Sequence, residues 1–223
     1  MLKIHKVSAR IAGITVLRGI ETEFSPGQLL AVVGRNGAGK TTLLRAIMGL
    51  LPLSSGSISI NGTDIASVPG HRRTEFGIGY APEDRVMYPT FTVEENLRLP
   101  CEVLGLPEAE IKRRLERVLD VVPQLEPMLA RSGAALSGGQ GKMAALGRAL
   151  MAGTKLVLLD EPFQGLAPVL ANQYAESLRK LHQLDPALCI VVTESNRSLL
   201  RDLPDATLTL ERGELVEGEA LTH

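Results

Sequence analysis

A glycine-rich loop between a short apolar run and a helical stretch constrains the fold of this chain more than any other feature. The run Leu29–Val33 is too short for a helix and suits a strand that is buried on both faces. The residues that follow it fit the pattern G-x-x-x-x-G-K-[ST] and are Gly34, Arg35, Asn36, Gly37, Ala38, Gly39, Lys40 and Thr41, with Thr42 after them in the same predicted site. Glycines in such a loop let backbone N–H groups turn toward a phosphate at a helix N-terminus, whose dipole favours anions. The sequence therefore predicts a phosphate-binding loop, here called the P-loop, in which Lys40 contacts the β and γ phosphates of ATP and the Thr41 hydroxyl holds Mg²⁺.

Two carboxylates follow a second apolar run. Leu156 to Leu159 reads as a buried strand, and Asp160 and Glu161 come directly after it. Because α/β sheets bind ligands at the carboxyl ends of their strands, we expect both acids near the P-loop. Asp160 suits the Mg²⁺ shell through water, and Glu161 is the candidate general base for the attacking water. On its own the pair is explained as well by solvated acids that end a strand; together with the P-loop, the catalytic interpretation is favoured.

The segment Leu136–Gln140, with the sequence LSGGQ, predicts a helix start. Ser137 is placed as the N-cap and Gln140 stands three residues on, which is the spacing of a capping box. Capping does not require Gly138 and Gly139, which expose backbone N–H groups at the positive end of a helix dipole. The LSGGQ segment therefore predicts a second anion-binding face on the same chain.

The order of elements predicts the α/β class. Strands at Leu156–Leu159 and Leu188–Val192 flank a helix at Val169–Leu184, which indicates a parallel, doubly wound sheet. Short strands at Leu2–Val7 and Ile14–Phe24 predict an antiparallel N-terminal β subdomain. Asn61-Gly62 and Arg212-Gly213 predict two hairpin turns.

The middle of the chain has a different periodicity. Apolar residues recur at helical spacing among lysines and arginines, at Ile111, Leu115, Val118, Leu119 and Val122. We therefore expect a single domain over residues 1–223, in which 1–83 and 152–223 form the α/β core and 84–151 form an inserted helical subdomain.

Charge and composition exclude several function classes. The 24 Lys and Arg residues nearly balance the 25 Asp and Glu residues, so no overall charge favours nucleic acid or anionic lipid. The two cysteines lie far apart, which indicates neither a disulfide framework nor a zinc site and fits a reducing cytosolic setting. No apolar stretch is long enough to span a membrane, so a membrane role would come through a partner.

A P-loop, a helical insertion, LSGGQ and a strand that ends in Asp-Glu, in this order, resemble the ABC ATPase domain across nearly the whole chain. The resemblance implies a P-loop NTPase core that binds and hydrolyses MgATP. It also implies that two ATPase subunits, identical or different, pair head to tail, so that Ser137, Gly138 and Gln140 contact the γ-phosphate held by the partner's P-loop. The further partners it implies are transmembrane permease subunits at the cytoplasmic face of a bacterial inner membrane and, indirectly, a solute-binding protein.

Three shorter segments narrow the resemblance. Ala81–Arg85, Thr92–Leu97 and Gly165–Pro168 are most similar to the branched-chain amino acid and urea importer ATPases. Glu83 stands where most ABC ATPases have the Q-loop glutamine, and a carboxylate there can coordinate Mg²⁺ and respond to the γ-phosphate. The alternative is that Glu83 is an exposed loop acid.

The chain departs from the family pattern at three places. Ser195, with Glu194 as the neighbouring alternative, stands where the family has its switch histidine, which suggests pairing with a second, different ATPase subunit. Arg10 and Ile11 occupy the region where the family offers an aromatic ring to adenine; Arg10 can stack and Ile11 can pack against the base. The third departure is Phe163-Gln164, for which the sequence offers no account.

The sequence thus predicts an ATP-hydrolysing subunit of an importer for a small solute, such as branched-chain amino acids, urea or short amides. Two alternatives stay open: an ATP-binding subunit with little hydrolysis of its own, and a soluble ABC ATPase that acts outside transport. The second is disfavoured because the chain shows neither a long coiled-coil insertion nor a second ATPase domain.

Overall fold

The computed structural model describes residues 1–84, 87–200 and 202–216, which form two β-sheets and a set of α-helices. The strands are β1 (Leu2–Ile11), β2 (Ile14–Phe24), β3 (Leu29–Val33), β4 (Leu53–Ile60), β5 (Thr63–Asp64), β6 (Ile78–Ala81), β7 (Leu156–Asp160), β8 (Cys189–Glu194), β9 (Ala206–Glu211) and β10 (Glu214–Val216). The helices are α1 (Lys40–Ile47), α2 (Val93–Val103), α3 (Glu108–Val121), α4 (Gly138–Ala152) and α5 (Pro168–Leu184).

The central sheet has the strand order β10-β9-β3-β8-β7-β6. All of its neighbouring strands run parallel except β10, which closes a hairpin with β9. Every residue of β3, β7 and β8 is buried, as expected for strands that are covered on both faces. The predicted strand at Leu188–Val192 is shifted: β8 runs on to Glu194, because Thr193 pairs with Asp160 and Glu194 pairs with Val33.

Alternate residues of the central strands face two separate apolar cores. Ala31 and Val33 face the core that contains α4 and α5, whereas Val32 faces the core that contains α1 and the second sheet. Helices therefore lie on both faces of the sheet, and on one face they share the space with the second sheet. This arrangement fixes the P-loop between β3 and α1 at one edge of the central sheet.

The second sheet, ordered β2-β1-β4-β5, is antiparallel, and together with the mostly parallel central sheet it confirms the predicted fold class. Both predicted hairpins form. Strand β1 runs to Ile11, well beyond the predicted end at Val7. The prediction ended early because register shifts between Ile4 and Val7 and again between Val7 and Ala9 break the alternation of apolar residues. The pattern that marks a strand is lost at these bulges although the pairing continues.

Three helices, α2 to α4, lie between β6 and β7 along the chain. The predicted apolar stripe of α3 is buried at Ile111, Leu115 and Val118. Taking residues 84–151 as a separate subdomain remains a prediction, and Arg85, part of one of the family-like segments, lies outside the described residues. Within the described ranges, no helix is long and apolar enough to cross a membrane.

A buried arginine fastens the C-terminal end of α1. Arg73 is 1% exposed. Its guanidinium donates to the carbonyls of Ala46, Ile47, Val68 and Ala66, and burial lowers its pKa. Two of these carbonyls are among the last of α1, which have no partner inside the helix. The end of the helix that follows the P-loop is thus anchored inside the protein.

Candidate functional site

Four neighbouring strands end at the same edge of the central sheet, and the predicted site residues follow them. The P-loop comes after β3, Ser195 after β8, Glu161 after β7 and Glu83 two residues after β6. Since parallel strands place their carboxyl ends together, segments that are far apart in the sequence meet at one place.

The P-loop needs glycine at two positions for steric reasons. A side chain at Gly34 would place its Cβ 2.3 Å from the carbonyl oxygen of Leu210. Gly39 has a φ of +110°, a backbone conformation that other residues rarely adopt. Gly39 also caps α1 without a side-chain hydrogen bond. The first N–H groups of α1 are therefore open to an anion.

Lys40 lies at the centre of the site and is 3% exposed. Its ammonium donates to the carbonyls of Gly34 (2.7 Å) and Arg35 (3.2 Å) and to the hydroxyl of Ser195 (3.0 Å), and it forms an ion pair with Glu161 Oε1 at 3.0 Å. The anionic oxygens of a ligand can replace these acceptors around the Lys40 ammonium. The predicted phosphate-binding lysine and the predicted general base are paired with each other.

Ser195 joins the P-loop to Glu161. Its Oγ lies 2.6 Å from Asn36 Oδ1 and 2.6 Å from Glu161 Oε1. Since a hydroxyl has one hydrogen, it donates to one of the two; both contacts are satisfied if Asn36 turns its amide N–H₂ toward Ser195 and Ser195 donates to Glu161. Ser195, the residue at the switch-histidine position, thus contacts three residues of the site, Lys40, Asn36 and Glu161.

Asp160 is 2% exposed and accepts hydrogen bonds from three hydroxyls. Thr193 and Thr41 donate to Oδ1 at 2.8 and 3.1 Å, and Tyr80 donates to Oδ2 at 3.2 Å. Burial raises the pKa of Asp160, and the three hydrogen bonds act in the opposite direction. The contact with Thr41 brings together two of the predicted Mg²⁺ ligands.

Glu161 is 5% exposed and has a φ of +45°, which is uncommon for a residue with a side chain. Its backbone N–H donates to both the carbonyl and the hydroxyl of Thr193. A backbone this far from the usual regions is retained where the surroundings hold it, and such positions cluster at functional sites.

A cavity of about 430 Å³ opens between the P-loop and Glu161. Its lining includes Lys40, Thr41, Thr42, Glu83 and Glu161. Glu83 is exposed, as the alternative interpretation expects, yet it faces the same cavity. A larger groove of about 1030 Å³ lies on the other side of the P-loop, near the β9–β10 hairpin.

The LSGGQ segment lies outside this cavity. As predicted, it starts a helix: Ser137 caps α4, its hydroxyl accepts from Gln140 N–H (3.4 Å), and Gln140 Oε1 accepts from Ser137 N–H (3.0 Å). Ser137 and Gly138 are exposed, and Gly139 and Gln140 are half-buried. A single chain therefore does not bring its two predicted anion-binding faces together.

Arg10 and Ile11 also lie outside the lining of the 430 Å³ cavity. Arg10 donates to the Thr15 hydroxyl at 3.3 Å, and Ile11 is 44% exposed. Val16, on β2, is the apolar residue of this region that lines the cavity. Contact of Arg10 and Ile11 with the base stays a prediction.

Sequence reasoning missed several residues around Asp160 and Glu161. Tyr80, Thr193 and Lys142 contact them, and Gln164 lines the cavity. One signal was available: Thr193 is a hydroxyl residue that directly follows the apolar run Ile190–Val192. Phe163, for which the sequence offered no account, is buried in an edge-to-face contact with Tyr174, at 5.3 Å between ring centroids.

Comparisons with known proteins agree on one family. The sequence profile of the ABC transporter family matches residues 17–164, more than half of the chain. A probable branched-chain amino acid transport ATP-binding protein of Archaeoglobus fulgidus is 34% identical over 213 residues, which cover 96% of this chain and 89% of that protein. A sulfate/thiosulfate import ATP-binding protein of Synechocystis is 34% identical over 212 residues, which cover 95% of this chain and 58% of that protein. Among solved structures, a dimeric bacterial ABC transporter cassette has a TM-score of 0.87 at 23% identity and covers 100% of both chains, a likeness of fold.

Proposed function

We propose, on the premise that this chain belongs to the ABC transporter family, whose ATP-binding cassettes hydrolyse ATP, that it is the ATPase subunit that powers uptake of a small solute. One observation carries the proposal for this chain: Lys40, Thr41 and Glu161 line one cavity at the carboxyl ends of the central strands, and Asp160 lies behind it in contact with Thr41. The cavity thus combines donors for phosphate oxygens with a carboxylate that can take a proton.

The P-loop holds the phosphates of the nucleotide in this proposal. The open N–H groups of α1 and the ammonium of Lys40 supply positive charge where the β and γ phosphates lie. Lys40 then exchanges its ion pair with Glu161 for phosphate oxygens. The Glu161 carboxylate, released from Lys40, accepts a proton from the attacking water.

The donor atoms present fit Mg²⁺. This ion prefers oxygen ligands and is usually held by one or two carboxylates together with phosphates and water. The Thr41 hydroxyl and the Asp160 carboxylate lie 3.1 Å apart and offer such oxygens. In the part of the chain that the structure describes, no group of three or more His, Cys, Asp or Glu residues could hold a metal ion. Thr41, Asp160 and Glu83 would hold Mg²⁺ with the nucleotide, and the bound ion would neutralise charge on the phosphates.

The exposed LSGGQ segment supports a head-to-tail pair of ATPase subunits. Ser137, Gly138, Gly139 and Gln140 face solvent or are half-buried, at a distance from their own P-loop cavity. A second subunit would bring its P-loop to this face, consistent with the dimeric cassette of similar fold. The remaining partners in this proposal are transmembrane permease subunits at the cytoplasmic face of a membrane and, through them, a solute-binding protein.

The proposal also names the class of solute that is taken up. The relatives named for branched-chain amino acid transport and for sulfate import are equally similar to this chain, at 34% identity. The first is covered over 89% of its length and the second over 58%. The closer match in length favours branched-chain amino acids or similar small solutes.

The contacts of Ser195 favour one alternative: a subunit that binds ATP with little hydrolysis of its own. Glu161 Oε1 is engaged by both Lys40 and Ser195, so the general base is occupied until a ligand displaces Lys40. In that case turnover would require a second ATPase subunit that supplies the missing contacts.

The proposal is tested by MgATP turnover of the purified chain, alone and with its permease and second ATPase subunits. Glu161→Gln should lower turnover on the order of a hundred- to ten-thousand-fold while ATP still binds, because a general base contributes about that much. The matched control is Glu116→Gln, an exposed acid of α3. In cells that lack the chain, wild type and Glu116→Gln should restore leucine uptake and leave sulfate uptake unchanged.

Full turnover by Glu161→Gln would contradict its role as general base. ATP binding without turnover in every mixture would replace the proposal by the low-hydrolysis alternative. Restored sulfate uptake would overturn the solute assignment alone.

A further inference from the structure

The backbone around Glu161 is held by side chains from two other elements. Pro162 follows Glu161 and has no N–H, so the next donor along the chain is Phe163 N–H. That N–H donates to Glu194 Oε1 at 2.8 Å. The Glu161 carbonyl accepts from Lys142 Nζ at 2.6 Å. Glu161 N–H contacts Thr193, as described above. The N–H and carbonyl of Glu161 and the N–H of Phe163 therefore all have hydrogen-bond partners.

This segment has a reason to need holding. Glu161 has a φ of +45°, and such conformations persist only where the surrounding structure holds them. The direction of its carboxylate depends on this backbone, because the side chain leaves from the same Cα. A small rotation there would move the carboxylate away from the attacking water.

Lys142 is a charged residue at a buried position, where an apolar residue would be expected. It lies on α4, is 8% exposed and extends its ammonium to a carbonyl. Burying an ammonium is costly unless it is paired and hydrogen-bonded, and an apolar residue of similar length would fill the same space. An apolar residue would lose the hydrogen bond to the Glu161 carbonyl and the positive charge that acts on Glu194.

Glu194, the last residue of β8, is buried more deeply, at 1% exposure. Burial raises its pKa to about 7, and the charge of Lys142 acts in the opposite direction. Its carboxylate accepts the Phe163 N–H at the end of the turn, whereas Lys142 donates to the Glu161 carbonyl at the start of the turn.

We propose that Lys142 and Glu194 are positioning residues for hydrolysis, which hold the turn over residues 161–163 so that the Glu161 carboxylate points at the attacking water. Neither is among the residues that line the 430 Å³ cavity, and both act through the backbone of residues 161–163. The inference rests on the proposed function, since it requires Glu161 to be the general base.

The test uses two variants that break a contact and one that keeps it. Lys142→Met keeps the length and removes the donor, Glu194→Leu removes the acceptor, and Glu194→Gln keeps an acceptor oxygen in the same place. The exposed lysine of α3 gives the matched control Lys112→Met. All are measured in the assembly in which the wild type turns over MgATP, with ATP affinity and thermal unfolding measured on the same samples.

We expect kcat of Lys142→Met and of Glu194→Leu to fall on the order of ten- to a hundredfold, because a misplacement of about 1 Å can cost that much. KM and the ATP affinity should stay within about threefold, since the P-loop contacts are unchanged. Glu194→Gln should stay within about threefold of the wild-type kcat at pH 7, and Lys112→Met should match the wild type.

The proposal is overturned if Lys142→Met keeps its kcat, if ATP affinity falls as far as kcat, or if Glu194→Gln loses as much kcat as Glu194→Leu. Where Glu194→Leu does not fold, Lys142→Met and Glu194→Gln decide by the same criteria. These failures differ from failure of the proposed function, in which the wild type has no turnover in any assembly or Glu161→Gln keeps full turnover.

Discussion

The chain contains two glycine-rich helix starts that are built in opposite ways. Helix α1 begins at Lys40 without a side-chain cap, and its first residue is 3% exposed. Helix α4 begins after Ser137 with a complete capping box; Ser137 and Gly138 are exposed, and the next two residues are half-buried. One start is enclosed by its own chain with its N–H groups open, whereas the other is exposed with some of its donors already satisfied.

The difference indicates what each start can do alone. An uncapped helix start surrounded by Lys40 and Thr41 has the charge and the open donors for a phosphate within one chain. At α4, the hydroxyl of Ser137 and the amide oxygen of Gln140 already accept from N–H groups, so a lone subunit should bind anions weakly there. The α4 start depends on a surface that another subunit brings.

The largest effect expected from this comparison is loss of turnover and its recovery by mixing. Lys40→Ala at the enclosed start and Ser137→Arg at the exposed start should each lower MgATP turnover on the order of a hundredfold or more. An equal mixture of the two should recover on the order of a quarter of wild-type turnover, since a head-to-tail pair of one of each retains one intact site. Turnover is measured on refolded or co-expressed mixtures.

A matched mixture provides the control. Lys40→Ala mixed with Asp160→Asn places both changes at the enclosed end, so no pair retains an intact site and turnover should stay low. Equal recovery in both mixtures would contradict the head-to-tail arrangement. No recovery in either would indicate that the exposed start faces a different chain.

A smaller effect concerns the dependence of stability on pH at the enclosed end. Glu194 has its pKa raised from an ordinary value of 4.5 to about 7. Between these values the folded chain holds a proton that the unfolded chain releases, so the free energy of unfolding falls as pH rises through this window. This decrease in the free energy of unfolding should be on the order of 3 kcal/mol in the wild type, and it should be absent in Glu194→Gln. Urea unfolding from pH 4.5 to 8 measures the difference between variant and wild type.

The buried Asp160 has its pKa shifted in the same direction, but it is present in both proteins and cancels in the difference. Glu211→Gln, an exposed acid, is the control and should follow the wild-type curve. Parallel curves for Glu194→Gln and the wild type would show that Glu194 does not titrate in this window.

The smallest effect separates capping from function at the exposed start. Ser137→Ala and Thr92→Ala each remove the hydroxyl of a complete capping box, in α4 and α2. Each should cost about 1 kcal/mol of unfolding free energy, or about 2 to 4 °C in Tm. Only Ser137→Ala should also lower MgATP turnover. Equal turnover in the two variants would leave Ser137 with a capping role alone.

The sequence was most informative where the chemistry is written in consecutive residues. Lys40 and Thr41 sit in a contiguous pattern, and Asp160 and Glu161 end an apolar run, so strand pairing was enough to bring them together. The capping box of Ser137 is equally local. In the structure Lys40 contacts Glu161 and Thr41 contacts Asp160, whereas the roles of these residues in binding and hydrolysis stay predictions.

The parts that were missed depend on contacts between distant elements. Tyr80, Lys142 and Thr193 belong to three different elements, and each reaches Asp160 or Glu161 only after the sheet and α4 have packed. A lysine in the second turn of a helix resembles any solvated lysine until its burial is known. The end of β1 was missed for a related reason, since bulges disturb the alternation but not the pairing.

The position of β3 in the middle of the central sheet also affects how the chain can fold. Its five buried residues pair with β8 on one side and β9 on the other, and both partners come near the end of the described chain. Pairings between such distant segments form slowly, because a long loop must close before any contact compensates its entropy. During synthesis β3 leaves the ribosome with both of its edges unpaired, and they stay so until β8 and β9 have followed. Aggregation of the nascent chain, rather than loss of the folded state, is therefore the stage at which we expect protection by chaperones to matter most.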